Sequence, residues 1–106
     1  MSRSASAVTV SVAGELDIAT ESSLVDRVGA VIVAGPAGEP VPELVLDLAE
    51  LRFCDSAGIN ALIRLRKLAD QDGWGFALVR PQPPVRRVLD LTGLLTFLNV
   101  DQERPA

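Results

Sequence analysis

Residues 44–65, LVLDLAELRFCDSAGINALIRL, change their apolar period partway along, and that change decides the fold. Leu44 to Leu48 make a short, nearly continuous apolar run, the pattern of a strand covered on both faces. Farther on, Ala61, Leu62, Leu65, Leu68 and Ala69 recur at i, i+1, i+4, i+7 and i+8, the stripe of an amphipathic helix. Between the two, Asp55-Ser56-Ala57-Gly58 forms a turn in which Gly58 lets the backbone turn closely.

The flanking segments repeat this alternation of strand and helix. Val8 to Val12, VTVSV, alternates apolar and polar residues as a half-buried strand does. Thr20 is placed to cap a helix over ESSLVDRVGAVIV, with Glu21 favourable in its first turn and Leu24, Val28, Val31 and Ile32 on one face. Residues 34–43, AGPAGEPVPE, hold three prolines and two glycines and form a surface loop. The second helix ends near Gly73, a suitable residue just past a helix end. Trp74 to Val79 is the next strand, RPQPP breaks the chain, and Pro84 sits at the start of a third helix. Val85, Val88 and Leu89 are its buried stripe and Gly93 its end. Thr96 to Val100, TFLNV, reads as a last short strand. The order β-α-β-α-β-α-β predicts an α/β layer fold with a largely parallel sheet, one domain over residues 7–101 with frayed ends at 1–6 and 102–106.

Composition narrows the function. The chain has 106 residues, 48% of them hydrophobic, which supports one compact core without disulfides or a metal. Its single cysteine, Cys54, excludes an internal disulfide and reads as a small buried apolar residue. No apolar run approaches a membrane span, and the amino terminus lacks the continuous apolar core of a signal peptide. A soluble cytoplasmic protein is expected. Ten basic against 14 acidic residues give a net charge of −4. No basic face is evident for nucleic acid, and Arg64 to Lys67 and Arg86–Arg87 read as solvated helix faces. No phosphate-cradling glycine loop is present, so no cofactor is expected.

Ser56 admits three chemical readings. As a nucleophile it lacks a base, because the chain contains no histidine and the surrounding sequence is not a G-x-S-x-G elbow. Ile59 and Asn60 stand where a Ser-x-x-Lys pair needs its lysine. Asp17 and Asp55 suit acid–base work in principle, but acidic residues beside turns serve mostly as caps. The second reading is that Asp55 or Ser56 caps the helix, a contribution of about 1 kcal/mol. In the third, Ser56 carries a phosphate. A helix N-terminus accommodates an anion, and a phosphate adds roughly −1.5 to −2 charges that change what can dock.

VTVSVAGELDIAT, LVLDLAELRFCDSAGINALIRL, FALVRP and VRRVLDLTGLLTFLNV, in this order and spacing, resemble a STAS domain. They are most similar to the small single-domain anti-sigma factor antagonists of bacteria, and the resemblance runs from Val8 to Val100. It implies a mixed, largely parallel sheet of four or five strands with helices packed on one side. It also implies a protein-binding module rather than an enzyme. In such antagonists the unphosphorylated form binds an anti-sigma factor, itself a GHKL-type serine kinase, and so frees its sigma factor for transcription. Phosphorylation by that kinase ends the binding, and a PP2C-type phosphatase restores it. Ser56 then matches the phosphorylated serine and Asp55 the aspartate before it. Asp17 matches the GELD aspartate that lies near that serine and helps the kinase use it. Asp17, Ile18, Asp55, Ser56, Ala57, Gly58, Ile59 and Asn60 form the partner-facing patch.

Three departures follow. Ala57 replaces a second hydroxyl residue common in relatives, leaving Ser56 the only hydroxyl of the turn. The amino terminus is short for the additional first strand that many relatives carry, so Met1 to Ser6 is not expected to supply it fully. The loop over residues 35–43 is longer than usual. The competing reading is a STAS scaffold in a lipid-transport or stress complex, with its turn serine unmodified.

Overall fold

The computed structural model describes residues 2–3, 7–34 and 43–100. Ten elements follow in order: β1 (Ser2–Arg3), β2 (Ala7–Ser11), β3 (Gly14–Leu16), α1 (Glu21–Ala34), β4 (Glu43–Asp47) and β5 (Leu51–Cys54), then α2 (Ser56–Gln71), β6 (Gly75–Val79), α3 (Pro83–Leu91) and α4 (Leu94–Phe97). β1, β2, β4 and β6 form one sheet in that order. Its β2–β4 and β4–β6 pairs are parallel, with Val10 opposite Leu46 and Leu46 opposite Leu78. β3 and β5 form a second, parallel pair. The fold is thus mixed α/β with helices packed on one side.

The apolar pattern explains the layers. β4 is the central strand, and Leu44 and Leu46 are fully buried in it. Val28 and Ile32 of α1 and Leu62 and Leu65 of α2 join the same core, each large buried side chain contributing about 1.5–3 kcal/mol. Gly73 takes a left-handed φ of 77° just past α2, as its place in the sequence predicts. Pro83 and Pro84 occupy the first turn of α3, where a missing N–H costs nothing.

Several expectations are corrected. Thr96 to Val100 is not a strand. Gly93 turns left-handed (φ 74°) into the short helix α4, and only Val100 reaches the sheet, as a single bridge to Leu78. Asn99, at φ 52°, reverses the chain there, and its side-chain amide donates to the Phe76 carbonyl at 2.8 Å. Ser2 and Arg3 are not frayed: they pair antiparallel with Thr9 and Val8 and extend the sheet edge by two residues. The rest of the expected frayed ends and loop residues 35–42 lie outside the described residues; Glu43, expected in that loop, opens β4. Thr20 is not a simple cap of α1. Its N–H and that of Glu21 donate to the Asp17 carbonyl at 3.1 and 2.9 Å, so helical bonding begins one turn earlier.

Candidate functional site

β3 and β5 position the site. Leu16 pairs with Cys54 where the two strands end, so Asp17 and Asp55 leave the strand ends together. The Asp55 N–H donates to the Leu16 carbonyl at 3.2 Å and holds the two departing chains to one another. Asp55 has extended backbone, and its Oδ1 accepts from the Gly58 N–H at 3.0 Å. The aspartate therefore caps α2. Ser56 is the first helical residue and is exposed, and its hydroxyl makes no hydrogen bond among the described residues. Of the two capping candidates, the structure selects Asp55.

Gly58 is needed for space rather than for a turn. It is buried, and a Cβ placed there would lie 2.3 Å from the Leu16 carbonyl oxygen and 2.8 Å from the Cys54 sulfur. Only a residue without a side chain lets the first turn of α2 approach β3 so closely.

The other half of the site is a braced turn. Oδ1 of Asp17 accepts from the N–H groups of Ala19 at 2.9 Å and Thr20 at 3.2 Å. The Thr20 hydroxyl accepts from the Asp17 N–H at 3.0 Å and donates to the Glu15 carbonyl at 2.9 Å. These bonds hold Ile18 outward, with 78% of its surface exposed. Thr20 was legible in the sequence as a helix-start residue, but its partnership with Asp17 was not.

Of the expected partner-facing residues, Ile18, Ser56 and Asn60 are exposed, and Asp17, Asp55 and Ala57 are half-buried. Gly58 and Ile59 are buried and support that surface from beneath. Cys54 faces inward too. Burial, and secondly the charge of Asp55, push its thiol up to about 11, so it stays protonated and apolar in character. Sequence reasoning passed over Phe53, which lies half-exposed beside this surface.

A separate polar cluster lies at the carboxyl end of β4. Asp47, buried at the end of β4, pairs with the guanidinium of Arg80, whose Nε donates to Oδ1 at 3.2 Å. That bond draws the Asp47 carboxyl below its ordinary value although burial opposes the change. Arg80 adopts a left-handed φ of 56° there, and the Gln82 amide donates to the Ala49 carbonyl at 2.7 Å. Among the described residues no group of three acidic, histidine or cysteine side chains is placed to hold a metal ion, and no helix is long and apolar enough to cross a membrane.

Comparison with known proteins identifies the family. A family model described as "STAS domain" matches residues 1–104. An anti-sigma F factor antagonist of Paenibacillus polymyxa is 37% identical over 57 residues, 54% of this chain and 49% of that protein. That match spans about half the length of the curated relative. The crystal structure of an anti-sigma factor antagonist from Mycobacterium paratuberculosis superposes with a TM-score of 0.80 at 30% identity, covering 96% of this chain and 82% of that one. The antagonist SpoIIAA in its unphosphorylated form gives 0.75 at 20% identity over 97% of this chain and 86% of that one. The Bacillus cell-fate determinant SpoIIAA in its phosphorylated form gives 0.68 at 19% over 97% and 89%. These last two share the fold.

Proposed function

Because the chain belongs to the STAS domain family, we propose that it is a cytoplasmic anti-sigma factor antagonist whose docking surface is switched by phosphorylation of Ser56. The observation that carries this reading is the free, exposed hydroxyl of Ser56 on the first turn of a helix that Asp55 already caps. A hydroxyl with no structural duty can gain and lose a phosphate without disturbing the fold. The positive end of α2 accommodates the added anion. The outward surface, however, already presents Asp17 and Asp55. A further −1.5 to −2 charges there must be desolvated and repelled whenever a partner docks, so phosphorylation releases the partner.

The chain supplies the acceptor and not the chemistry. It has no histidine, and neither carboxylate of the site is hydrogen-bonded to the Ser56 hydroxyl. ATP, its metal and the catalytic base belong to the partner, an anti-sigma factor of the GHKL serine-kinase type, and a PP2C-type phosphatase reverses the mark. Asp17, Ile18, Asp55, Ser56, Ala57 and Asn60 form the contact surface, underpinned by Gly58 and Ile59.

The test is to incubate the purified chain with ATP and, in turn, each GHKL-type kinase of its source, then map the modification. Phosphate on Ser56 is expected. Binding titrations with that kinase should give equal affinities for the unmodified chain and Ser56→Ala, and a lower affinity for Ser56→Asp. Thermal melts should place Ser56→Ala within about 0.5 kcal/mol of the parent. Ser56→Asp should be level or up to about 1 kcal/mol more stable, because the added charge sits at a helix N-terminus. Equal affinities in all three proteins would make Ser56 a bystander and favour an unmodified scaffold.

A further inference from the structure

We infer that the cavity at the carboxyl ends of β2, β4 and β6 binds a small zwitterion of the α-amino acid type, its carboxylate on Arg52 and its ammonium between Glu50 and Gln82.

The three strands run parallel and end in one row, Ser11 beside Asp47 and Asp47 beside Val79. The segments that follow them enclose a cavity of about 530 Å³ lined by Ala13, Gly14, Ala49, Glu50, Arg52 and Gln82. Open α/β sheets take their ligands in the crevice outside the carboxyl ends of parallel strands. The volume lies within the roughly 300–1,000 Å³ of small-molecule sites. The walls are fixed before any ligand arrives. The N–H groups of Val12, Gly14 and Leu48 donate to the carbonyls of Asp47, Glu50 and Val79, each at 2.9 Å. The Gln82 side-chain amide closes the third wall on the Ala49 carbonyl at 2.7 Å.

Three departures from regular backbone converge on this cavity. Gly14 turns left-handed at φ 81°, and open space lies where a side chain would stand. Arg80, two residues before Gln82, holds a left-handed φ of 56° that a residue with a side chain seldom adopts. Between β3 and β5 the register slips: Gly14 stands opposite Leu51 but Glu15 opposite Phe53, so Arg52 is the extra residue of a bulge. Bulges re-aim side chains, and strained residues gather at functional sites. Packing accounts for none of the three, because Gly14, Arg52 and Arg80 all lie outside the core.

The chemistry of the walls selects the ligand. Arg52 is exposed and makes no ion pair among the described residues, so its guanidinium is available to a carboxylate. The Nε2 of Gln82 is engaged with Ala49, which leaves its Oε1 as an acceptor, and Glu50 supplies a second acceptor. Arg80 lies within electrostatic reach of Glu50, but its guanidinium is bonded to Asp47. One cation and two acceptors match a carboxylate and an ammonium on one small molecule. A phosphate fits less well. It would meet the Glu50 carboxylate, and the start of α3 gives it little, because Pro83 and Pro84 have no N–H to donate. Ala13, Gly14 and Ala49 bring no large apolar side chain, so recognition falls on the charged groups.

Titration of the purified chain with each of the common L-amino acids, followed by amide NMR and thermal melts, tests the site. At least one should shift the amide signals of Ala13, Gly14, Ala49 and the Gln82 side chain saturably and raise Tm. Arg52→Ala should weaken that binding about tenfold. Glu50→Gln should weaken the amino acid yet bind propionate, which has the carboxylate alone, no worse than the parent does. Melts of the unliganded variants check folding, and if Arg52→Ala does not fold, Glu50→Gln carries the test. If no amino acid shifts these signals at millimolar concentration, or if the shifts survive in both variants, the assignment is wrong. Stronger shifts with inorganic phosphate than with any amino acid would make the cavity a simple anion site and also overturn it. No kinase enters the experiment, so its outcome stands apart from the switch at Ser56.

Discussion

Gly58→Ala sets two effects of opposite sign against each other, and the geometry decides which wins. Gly58 lies inside α2, where replacing glycine by alanine ordinarily stabilises a helix by about 1 kcal/mol. At this position, however, the new Cβ would lie 2.3 Å from the Leu16 carbonyl oxygen and 3.0 Å from its carbonyl carbon. A Cβ contact below 3.0 Å does not persist, so α2 or β3 must move by at least 3.0 − 2.3 = 0.7 Å. The obstacle is backbone and cannot swing aside as a side-chain tip would. Overpacking of this kind costs about 1–3 kcal/mol, and the shift also threatens the Asp55 N–H to Leu16 carbonyl bond, a further 0.5–1.5 kcal/mol or so. The net expectation is a loss of about 1–3 kcal/mol, or roughly 4–8 °C in Tm per kcal/mol for a domain of this size. Gly29→Ala is the internal control. It sits in α1, where a Cβ would meet only the Leu68 Cδ1 at an ordinary 3.9 Å, and it should gain up to about 1 kcal/mol. Thermal melts and urea titrations of the two variants beside the parent read both signs. Because the displaced segment carries Asp17 and Ile18, phosphorylation of Ser56 in Gly58→Ala should also slow under conditions where the variant is folded. A Gly58→Ala protein as stable as the parent, or more so, would refute the close approach on which the site is built.

Three other expectations concern the Asp17 turn and the Asp47–Arg80 pair. Thr20→Val removes the hydroxyl shared by the Asp17 N–H and the Glu15 carbonyl and should cost about 1 kcal/mol. Asp17→Asn keeps an acceptor oxygen and should change stability by less than about 0.5 kcal/mol while still slowing Ser56 phosphorylation; equal phosphorylation rates for both variants and the parent would show that the turn does not serve the site. At the carboxyl end of β4, the Asp47 carboxyl is drawn below its ordinary value chiefly by its bond to Arg80. The unfolded chain therefore takes up the proton first as pH drops, so this contribution is present above about pH 4 and is lost as pH falls through the lower folded value. Urea unfolding across acid pH should show a flatter acid limb for Asp47→Asn, and a limb as steep as the parent's would contradict the pairing.

What the sequence showed and what it hid divide along one physical line. Periodicity is readable where an element is long enough to repeat, as in α2, with Leu62 and Leu65 on one face, or where it is wholly buried, as in β4. Three-residue β3 and four-residue β5 repeat nothing, and the bulge between them breaks what alternation remains. Conversely, TFLNV reads as a short strand, yet Thr96 and Phe97 belong to the helical turn α4, because Gly93 and Asn99 set the chain direction through left-handed φ values. The site inherits this division. The DSAG half was legible because a cap is local chemistry: Asp55 answers the N–H three residues on. The Asp17–Ile18 half joins it only through the pairing of Leu16 with Cys54, a contact that leaves no periodic trace. Gly58 belongs to both halves, and here the local reading misleads. A glycine in a turn suggests a special φ, yet the left-handed glycines described are Gly14, Gly73 and Gly93, and Gly58 is an ordinary helical residue with a carbonyl against it. Its purpose is visible only once the strand it accommodates is in place, so the residue that joins the two halves of the surface cannot be understood from either half alone.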